Sequence, residues 1–187
     1  MGGGVRIEET GVQGVLVVAS ERFSDVRGSF ARLYCDEELS AVIGQRRIIQ
    51  INHSLTREKG TVRGMHFQLP PHAEMKLVRC LKGRVWDVAV DVRAGSPTFL
   101  QWRARELTPE NGRMLVIPEG CAHGFQALEP DSELLYLHTA SYHPEAEGAL
   151  RHDDPRLAIP WPVPVTTLSE RDRDHRPLAP DFTGISL

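Results

Sequence analysis

Short runs of alternating apolar and polar residues, separated by glycine, proline or asparagine, restrict the fold of this chain more than any other feature. Eight runs are predicted as strands, at residues 14–18, 48–52, 77–81, 85–92, 99–107, 113–117, 124–128 and 133–139. The Lys82-Gly83 pair is predicted as the hairpin turn between two of them. Strands that recur about every 8 to 12 residues are typical of an all-β barrel or jelly roll.

Helical patterns are few. Residues 36–43 are predicted as one short helix that ends at Gly44, because glycine readily stops a helix. The tail from Pro160 is rich in proline and charge, so loops and short turns lying over the barrel are predicted there. No internal repeat or linker is visible, and the prediction is a single domain over residues 1–187.

The composition is that of an ordinary globular protein, with 41% hydrophobic and 25% charged residues. A formal net charge of -3 provides no basic surface, so no nucleic-acid partner is expected. The three cysteines are odd in number and lack CxxC spacing, which favours a reducing compartment. No apolar run reaches the roughly 18 residues of a membrane span. We therefore expect a cytoplasmic protein without a membrane partner.

Two glycine-led motifs each place a histidine on a strand. The second, at residues 112–123, matches the cupin pattern G-x5-P-x-G-x2-H at every fixed position. The first, at residues 60–68, resembles the partner pattern G-x5-H-x-H, with His66 at the first histidine and Gln68 at the second. Residues two apart on a strand share one face, so both would point into the barrel. An amide is a poor ligand for first-row metals and Glu74 departs from the usual spacing, so no metal is expected.

Further motifs extend through most of the chain. They are Asp25-x-Arg27-Gly28-x-Phe30, Gln50-x-Asn52-His53-Ser54, Arg63-Gly64-x-His66-x-Gln68, Lys76-Leu77-Val78-Arg79, Asp87 to Arg93, Ser96-Pro97-Thr98, Ile117 to Phe125, Tyr136, Tyr142, Asp153-Asp154-Pro155 and Trp161-Pro162. In these motifs the chain resembles the dTDP-4-dehydrorhamnose 3,5-epimerase family, a metal-free branch of the cupins. The resemblance implies an all-β cupin fold, a double-stranded β-helix or jelly-roll barrel with a few short helices, and no cofactor.

The resemblance implies an isomerase of deoxysugar biosynthesis. Its substrate would be a nucleoside-diphosphate 4-keto-6-deoxyhexose, with dTDP the expected nucleotide, epimerised at C3, C5 or both carbons. His66 aligns with the family's base, and Asp172 with the carboxylate that orients that base. Lys76 and Arg63 align with cations near the ketone oxygen or the sugar, where a cation stabilises an enolate. Tyr136 aligns with the acid that returns a proton to carbon.

The resemblance also assigns substrate contacts, at Arg27, Gln50, Asn52, Arg63, His123, Tyr142, Glu147 and Arg171. Tyr142 matches an aromatic that stacks on the nucleotide base, and Arg171 stands where a lysine commonly binds phosphate. The chain departs from the family at two places. Arg32 occupies a position where rhamnose-pathway members carry glutamate, and a fixed cation there is expected to change which sugar or nucleotide fits. Leu137-His138 replaces the usual Lys-Thr.

The resemblance further implies a homodimer whose N-terminal strands are exchanged between subunits, an arrangement that also covers sheet edges. Three alternatives stay open at this point. One is an epimerase that acts on a single carbon or on a different nucleotide sugar. The others are a metal-dependent cupin, which would hold bound metal, and a non-catalytic sugar-nucleotide-binding cupin, which would bind nucleotide without exchanging any sugar proton.

Overall fold

The computed structural model describes residues 4–187, and its regular elements are mostly strands. The strands are β1 (Val5–Glu9), β2 (Leu16–Ser20), β3 (Arg22–Asp25), β4 (Gly28–Ala31), β5 (Gln50–Thr56), β6 (Val62–Gln68), β7 (Lys76–Lys82), β8 (Val85–Asp91), β9 (Trp102–Leu107), β10 (Arg113–Ile117), β11 (Cys121–Ala127), β12 (Ser132–His138) and β13 (Glu147–Ala149). The α-helices are α1 (Ser40–Ile43) and α2 (Glu170–Asp174). Within the described range, no helix is long and apolar enough to cross a membrane.

The strands form two large antiparallel sheets and one separate hairpin. The six-stranded sheet has the order β1-β2-β10-β7-β12-β5, the five-stranded sheet has the order β13-β6-β11-β8-β9, and β3 pairs with β4. Apolar side chains of both sheets meet in one cluster, which includes Val78 and Leu115 of the first sheet and Ala89 and Phe125 of the second. This is the jelly-roll barrel predicted from the sequence.

The outer faces of both sheets are also covered. Val42 and Ile43 of α1 pack against Leu77 on the outer face of the six-stranded sheet. On the five-stranded sheet, the C-terminal tail packs Ile159 and Phe182 against the strands. The tail therefore lies over the barrel as predicted, and it brings α2 against β6.

The helix predicted over residues 36–43 is shorter in the structure, where α1 covers only Ser40–Ile43. The preceding residues form turns. The N–H of Leu39 makes an α-helical bond to the carbonyl of Cys35, but the N–H of Ser40 donates to Glu37 in a tighter turn, which interrupts the helical series before α1. The helix ends at Gly44, which has a φ of 60°, as predicted for a glycine stop.

Strands β6 and β11 approach each other closely at Gly64. A Cβ atom at this position would collide with the Cα atom of Gly124 and would lie 2.8 Å from the carbonyl oxygen of His123. The φ of Gly64 is 128°, in the region that favours glycine. On the same two strands, His66 and His123 are partners in register. The glycine contact therefore sets the spacing between the strands that carry these two histidines.

We expect the Gly64→Ala substitution to lower the free energy of unfolding by about 2–4 kcal/mol, because it adds overpacking to backbone strain. Gly95→Ala is a matched control. Gly95 has a φ of 73°, but nothing lies within 4 Å of the Cβ it would gain. Its substitution should therefore cost only the strain, about 1–2 kcal/mol. Urea unfolding measures both losses of stability. Equal losses would show that the close approach of β6 and β11 at Gly64 adds nothing to the backbone strain.

Candidate active site

A cleft of about 820 Å³ opens between the two sheets. Its walls come from β5, β7 and β12 of the six-stranded sheet, from β6 and β11 of the five-stranded sheet, and from residues 167–172 of the tail. A smaller lobe of about 250 Å³ adjoins the cleft, and the two share Asn52, His66, Lys76 and Arg171 among their lining residues. A volume of this size is typical of a small-molecule site.

His66 on β6 meets Asp172 of α2 inside the cleft, with 2.6 Å between Nε2 and Oδ1. The N–H of Gly64 donates to the other carboxylate oxygen at 3.4 Å, and Ser169 accepts the N–H of Asp172 to cap the helix. Burial by itself would raise the pKa of Asp172. The hydrogen bond and charge of His66, together with the Gly64 N–H, outweigh burial, so the pKa is lowered. The carboxyl is therefore ionised beside the imidazole at neutral pH.

The contacts of His66 decide which ring nitrogen can take a proton. Its Nε2 lies 3.3 Å from Nη2 of Arg171 as well as 2.6 Å from Asp172. The short contact with a carboxylate requires the proton on Nε2, because an ionised carboxylate only accepts. Nη2 of Arg171 is itself a donor, so its approach to the protonated Nε2 is a close contact and not a hydrogen bond. Among residues 4–187, no hydrogen-bond partner meets Nδ1 of the ring. Nδ1 is therefore the nitrogen with a lone pair to use.

A second histidine–carboxylate pair lies beside the first. His123 on β11 lines the cleft, and its Nε2 lies 2.8 Å from Oδ1 of Asp87 on β8. Both side chains are buried, and burial raises the pKa of Asp87 despite the opposing charge of His123. The ring of His123 meets Tyr136 edge-on, with 6.0 Å between centroids. Sequence reasoning gave Asp87 no role, although a charged residue within an apolar strand was a signal of one.

Tyr136 and Lys76 enter the cleft from the six-stranded sheet, opposite His66. The hydroxyl of Tyr136 lies 3.2 Å from Oγ of Ser54, and burial raises the pKa of this phenol well above its ordinary value. The phenol therefore keeps its proton at neutral pH. The Nζ atom of Lys76 lies 3.2 Å from Oε1 of Glu74 and 3.5 Å from the carbonyl oxygen of His66.

Comparison with known proteins gives the family. The family model for dTDP-4-dehydrorhamnose 3,5-epimerase matches residues 9–180. The chain belongs to this family. A curated dTDP-4-dehydrorhamnose 3,5-epimerase from Sinorhizobium fredii is 42% identical over 176 residues, which cover 91% of this chain and 90% of that protein. A dTDP-4-dehydrorhamnose 3-epimerase from Streptomyces niveus is 38% identical over 176 residues, 94% of this chain and 84% of that protein.

A solved structure agrees with the sequence comparison. The dTDP-6-deoxy-D-glucose-3,5-epimerase of Legionella pneumophila, in complex with dTDP-4-keto-L-rhamnose, is 38% identical to this chain. It superposes with a TM-score of 0.85, covering 90% of this chain and 89% of that chain. As a member of the dTDP-4-dehydrorhamnose 3,5-epimerase family, the chain is an isomerase, and the fold and enzyme class predicted from its sequence are confirmed.

Most of the substrate contacts expected from the family gather around the cleft and its lobe. These residues are Gln50, Asn52, Arg63, His123, Tyr142, Glu147 and Arg171. At the rim, Oε2 of Glu147 accepts hydrogen bonds from the hydroxyl of Tyr142 at 2.9 Å and from Nη1 of Arg171 at 2.8 Å. The carboxylate thus joins the expected base-stacking residue to the expected phosphate-binding residue.

Arg27 and Arg32 lie away from the cleft of their own chain. Arg27 is at the tip of the β3–β4 hairpin, where it is exposed and paired with Asp25. Arg32 pairs with Glu38 beside a separate small depression. Neither residue lines the cleft or the lobe of the described chain. The assignment of Arg27 as a family substrate contact stays a prediction that requires a second chain. The expected effect of Arg32 on the choice of sugar or nucleotide also stays a prediction.

Leu137 and His138, the two residues at which the chain departs from the family motif after Tyr136, lie in different surroundings. Leu137 is buried in the apolar cluster beneath α1, on the far side of β12 from the cleft. His138 lines the cleft, and its Nδ1 lies 2.8 Å from Oε2 of Glu74. Only His138 therefore faces the site of this epimerase. Sequence reasoning did not include His138 or Glu74 in that site, because the strand register of residue 138 was needed to assign its face.

Gln68, which replaces a histidine of the metal-binding cupin pattern, has a structural part in this chain. Its Nε2 donates to the carbonyl oxygens of His72 and Ser141 at 3.0 and 3.1 Å. Its Oε1 accepts the backbone N–H of His143 at 2.6 Å. The whole amide is thus engaged in holding the segment between β12 and β13.

Three groups beside the cleft could still supply metal ligands. His66, Asp172 and His175 place ligand-type atoms within 4.8 Å of one another, although sequence reasoning gave His175 no role in the site. The guanidinium of Arg171 lies 3.3 Å from the same Nε2 of His66, and a fixed cation there opposes the binding of a second one. The donor set therefore favours proton transfer over metal binding.

Proposed function

We propose that this chain epimerises a dTDP-4-keto-6-deoxyhexose at C3 and C5, the two carbons beside the ketone. The observation that carries the proposal is the 2.6 Å contact of His66 with the ionised Asp172, in a cleft that Lys76 and Tyr136 also line. The names of the relatives, and the dTDP-4-keto-L-rhamnose bound in the Legionella structure, support this choice of sugar and nucleotide.

In the proposed reaction, Nδ1 of His66 removes the proton from the carbon beside the ketone. A ketone makes that C–H bond acidic, and an imidazole titrates near neutral pH. Asp172 holds the ring through Nε2–H and stabilises the imidazolium that forms. The electron pair of the broken C–H bond moves to the ketone oxygen, where Lys76 and Arg63 stabilise the enolate charge.

Inversion requires that the new proton arrive from the opposite face of the sugar. His66 belongs to the five-stranded sheet and Tyr136 to the six-stranded sheet, so a sugar in the cleft would lie between them. The phenol of Tyr136 donates the proton to carbon, and solvent later restores both residues to their starting forms. Because burial raises the pKa of Tyr136, the phenol is in the proton-donating form before each turnover.

The nucleotide end of the substrate is assigned to the lobe and its rim. Tyr142 offers an exposed ring for stacking on the base, and Arg171 offers a guanidinium for the diphosphate. Gln50 and Asn52 line the lobe between that rim and Lys76, and they provide amide groups for sugar hydroxyls.

Heavy water provides the test of this function. When the protein is mixed with dTDP-4-keto-6-deoxyglucose in deuterium oxide, proton NMR should show deuterium entering C3 and C5. Exchange at one carbon alone would identify a single-carbon epimerase, a candidate favoured by the 3-epimerase relative from Streptomyces niveus. Exchange at neither carbon, together with tight nucleotide binding, would identify a non-catalytic binding protein and overturn the proposal.

We also propose that the chain is a homodimer. Large apolar side chains are exposed on the β3–β4 hairpin, at Phe23, Val26 and Phe30, and along the edge strand β5, at Ile51 and Leu55. Exposed apolar side chains on a hairpin and along a sheet edge favour association with a second chain. In such a dimer the hairpin of one chain would bring Arg27 toward the cleft of its partner.

The dimer has a direct test. Light scattering after gel filtration should give about twice the chain mass of 20.9 kDa. The Val26→Asp/Phe30→Asp double variant should run as a monomer with a raised KM, since buried charges disrupt an apolar contact. Leu187→Asp alters an exposed leucine of the C-terminal tail that lies beside Gly120, and it is the control. A monomeric wild type would contradict the proposal.

A further inference from the structure

A buried histidine–glutamate pair lies next to Lys76, outside the set of residues assigned from the family. Oε2 of Glu74 is 2.8 Å from Nδ1 of His138, and Oε1 of Glu74 is 3.2 Å from Nζ of Lys76. The side chains of Glu74, His138 and Lys76 are only 6%, 10% and 11% exposed, respectively. His138 is one of the two residues at which the chain departs from the family motif after Tyr136.

The hydrogen bonds around His138 have a fixed direction. The backbone N–H of Tyr142 donates to Oε1 of Gln50 at 3.1 Å, so the amide NH₂ of Gln50 faces Asn52. Oδ1 of Asn52 accepts from Gln50 at 3.3 Å, and Nδ2 of Asn52 then donates to Nε2 of His138 at 3.3 Å. Because a backbone N–H can only donate, each later group takes a single orientation. His138 is therefore neutral, with its proton on Nδ1 toward Glu74.

The far end of this chain of hydrogen bonds is the Lys76 ammonium. Burial by itself would raise the pKa of Glu74, but the hydrogen bond from His138 and the charge of Lys76 lower it overall. Glu74 is thus an anion with one oxygen toward each partner. Lys76 is held between that anion and the carbonyl oxygen of His66. A lysine has a flexible four-carbon stem, so its position depends on such contacts.

We propose that His138 and Glu74 are positioning residues that fix the Lys76 ammonium for catalysis and couple it to the nucleotide end of the site. The inference rests on the proposed function, in which Lys76 stabilises the enolate. His138 orients Glu74, and Glu74 orients Lys76. Through Asn52 and Gln50, the same histidine is joined to Tyr142 at the rim. Neither positioning residue needs to contact the reacting carbon.

Variants of His138 separate a positioning role from a purely structural one. His138→Phe keeps a ring but removes both hydrogen bonds, and we expect kcat to fall about tenfold, with a KM increase of a few-fold. His138→Gln can donate to Glu74 and accept from Asn52, and it should recover kcat to within about threefold of the wild type. His143→Phe is the matched control. It removes the contact of His143 with Glu145, which is also 2.8 Å long but lies at the surface, and neither residue lines the cleft or the lobe.

A Lys76→Met protein tests whether His138 affects kcat through Lys76. In a Lys76→Met protein, adding His138→Phe should cause no further loss of kcat, because the group that it positions is absent. A folded His138→Phe enzyme with wild-type kcat would overturn the inference. So would an equal additional loss of kcat in the Lys76→Met background.

A spectroscopic measurement keeps this test independent of the proposed function. The chain has three lysines, Lys59, Lys76 and Lys82, so the ε-carbon signals of a ¹³C-lysine-labelled protein are easily assigned. His138→Phe should move the Lys76 signal and leave the other two in place, and His138→Gln should restore it. An unmoved Lys76 signal overturns the inference. Absence of substrate exchange in the wild type overturns only the proposed function.

Discussion

Replacing His66 by asparagine should lower kcat by about 10³-fold and remove deuterium exchange at the sugar carbons, while dTDP still binds. The substitution removes the Nδ1 lone pair, which has no hydrogen-bond partner among residues 4–187, and the proposed reaction assigns no other base. The loss should appear in kcat, because the imidazole acts in the transition state and adds little to ground-state binding. NMR rates in heavy water give the exchange, and calorimetry gives the nucleotide affinity.

The Asp172→Asn variant tests the role of the carboxylate that contacts His66. It keeps the imidazole but replaces an ionised acceptor with an amide, so the imidazolium loses its stabilising charge. We expect a smaller loss of kcat than for His66→Asn, about 10²-fold, measured by the same exchange rates in heavy water. If the His66→Asn protein still exchanged deuterium at the wild-type rate, the base would have to be a different residue.

The Tyr136→Phe substitution should separate the two halves of the reaction. Proton abstraction by His66 remains, so deuterium should still enter the substrate from the same face. Formation of the epimerised product should fall by about 10²–10³-fold, because the opposite face has lost its proton donor. NMR follows the exchange, and separation of the sugar products follows the inversion.

A nearby substitution provides the control for this variant. Ser54→Ala removes the hydroxyl that lies 3.2 Å from the phenol but leaves the phenol itself, and its effect on product formation should be less than about tenfold. Equal losses of exchange and of product in Tyr136→Phe would contradict the assignment of Tyr136 as the acid. They would show instead that it binds or orients the sugar before any proton moves.

The barrel is predictable from the sequence because alternation and glycine turns are local signals. The strand predicted at residues 113–117 coincides with β10, and the Lys82-Gly83 turn joins β7 to β8. Short strands at edges lack those signals, and β1, β3, β4 and β13 were not predicted. The strand predicted from Phe99 begins only at Trp102, because Leu100 has a φ of 59° and the chain turns there.

The site is only partly predictable for a related reason. His66 could be found from the spacing of its motif, but Asp172 lies 106 residues away in a charged tail that resembles ordinary surface. Its assignment came from the family resemblance alone. The Glu74–His138 contact spans 64 residues and depends on the register between β7 and β12. Contacts of this kind follow from tertiary pairing, which no local pattern encodes.

Because Asp172 lies on the C-terminal tail, we expect activity to be lost at a lower temperature or urea concentration than the fold. His66 lies on a central barrel strand with partners on both sides, while Asp172 belongs to a five-residue helix capped by Ser169. Segments with few buried contacts open at a lower free energy than the core to which they attach. Opening of α2 would separate the base from its carboxylate while both sheets stay intact. Heat or urea would then inactivate the enzyme reversibly before the barrel unfolds.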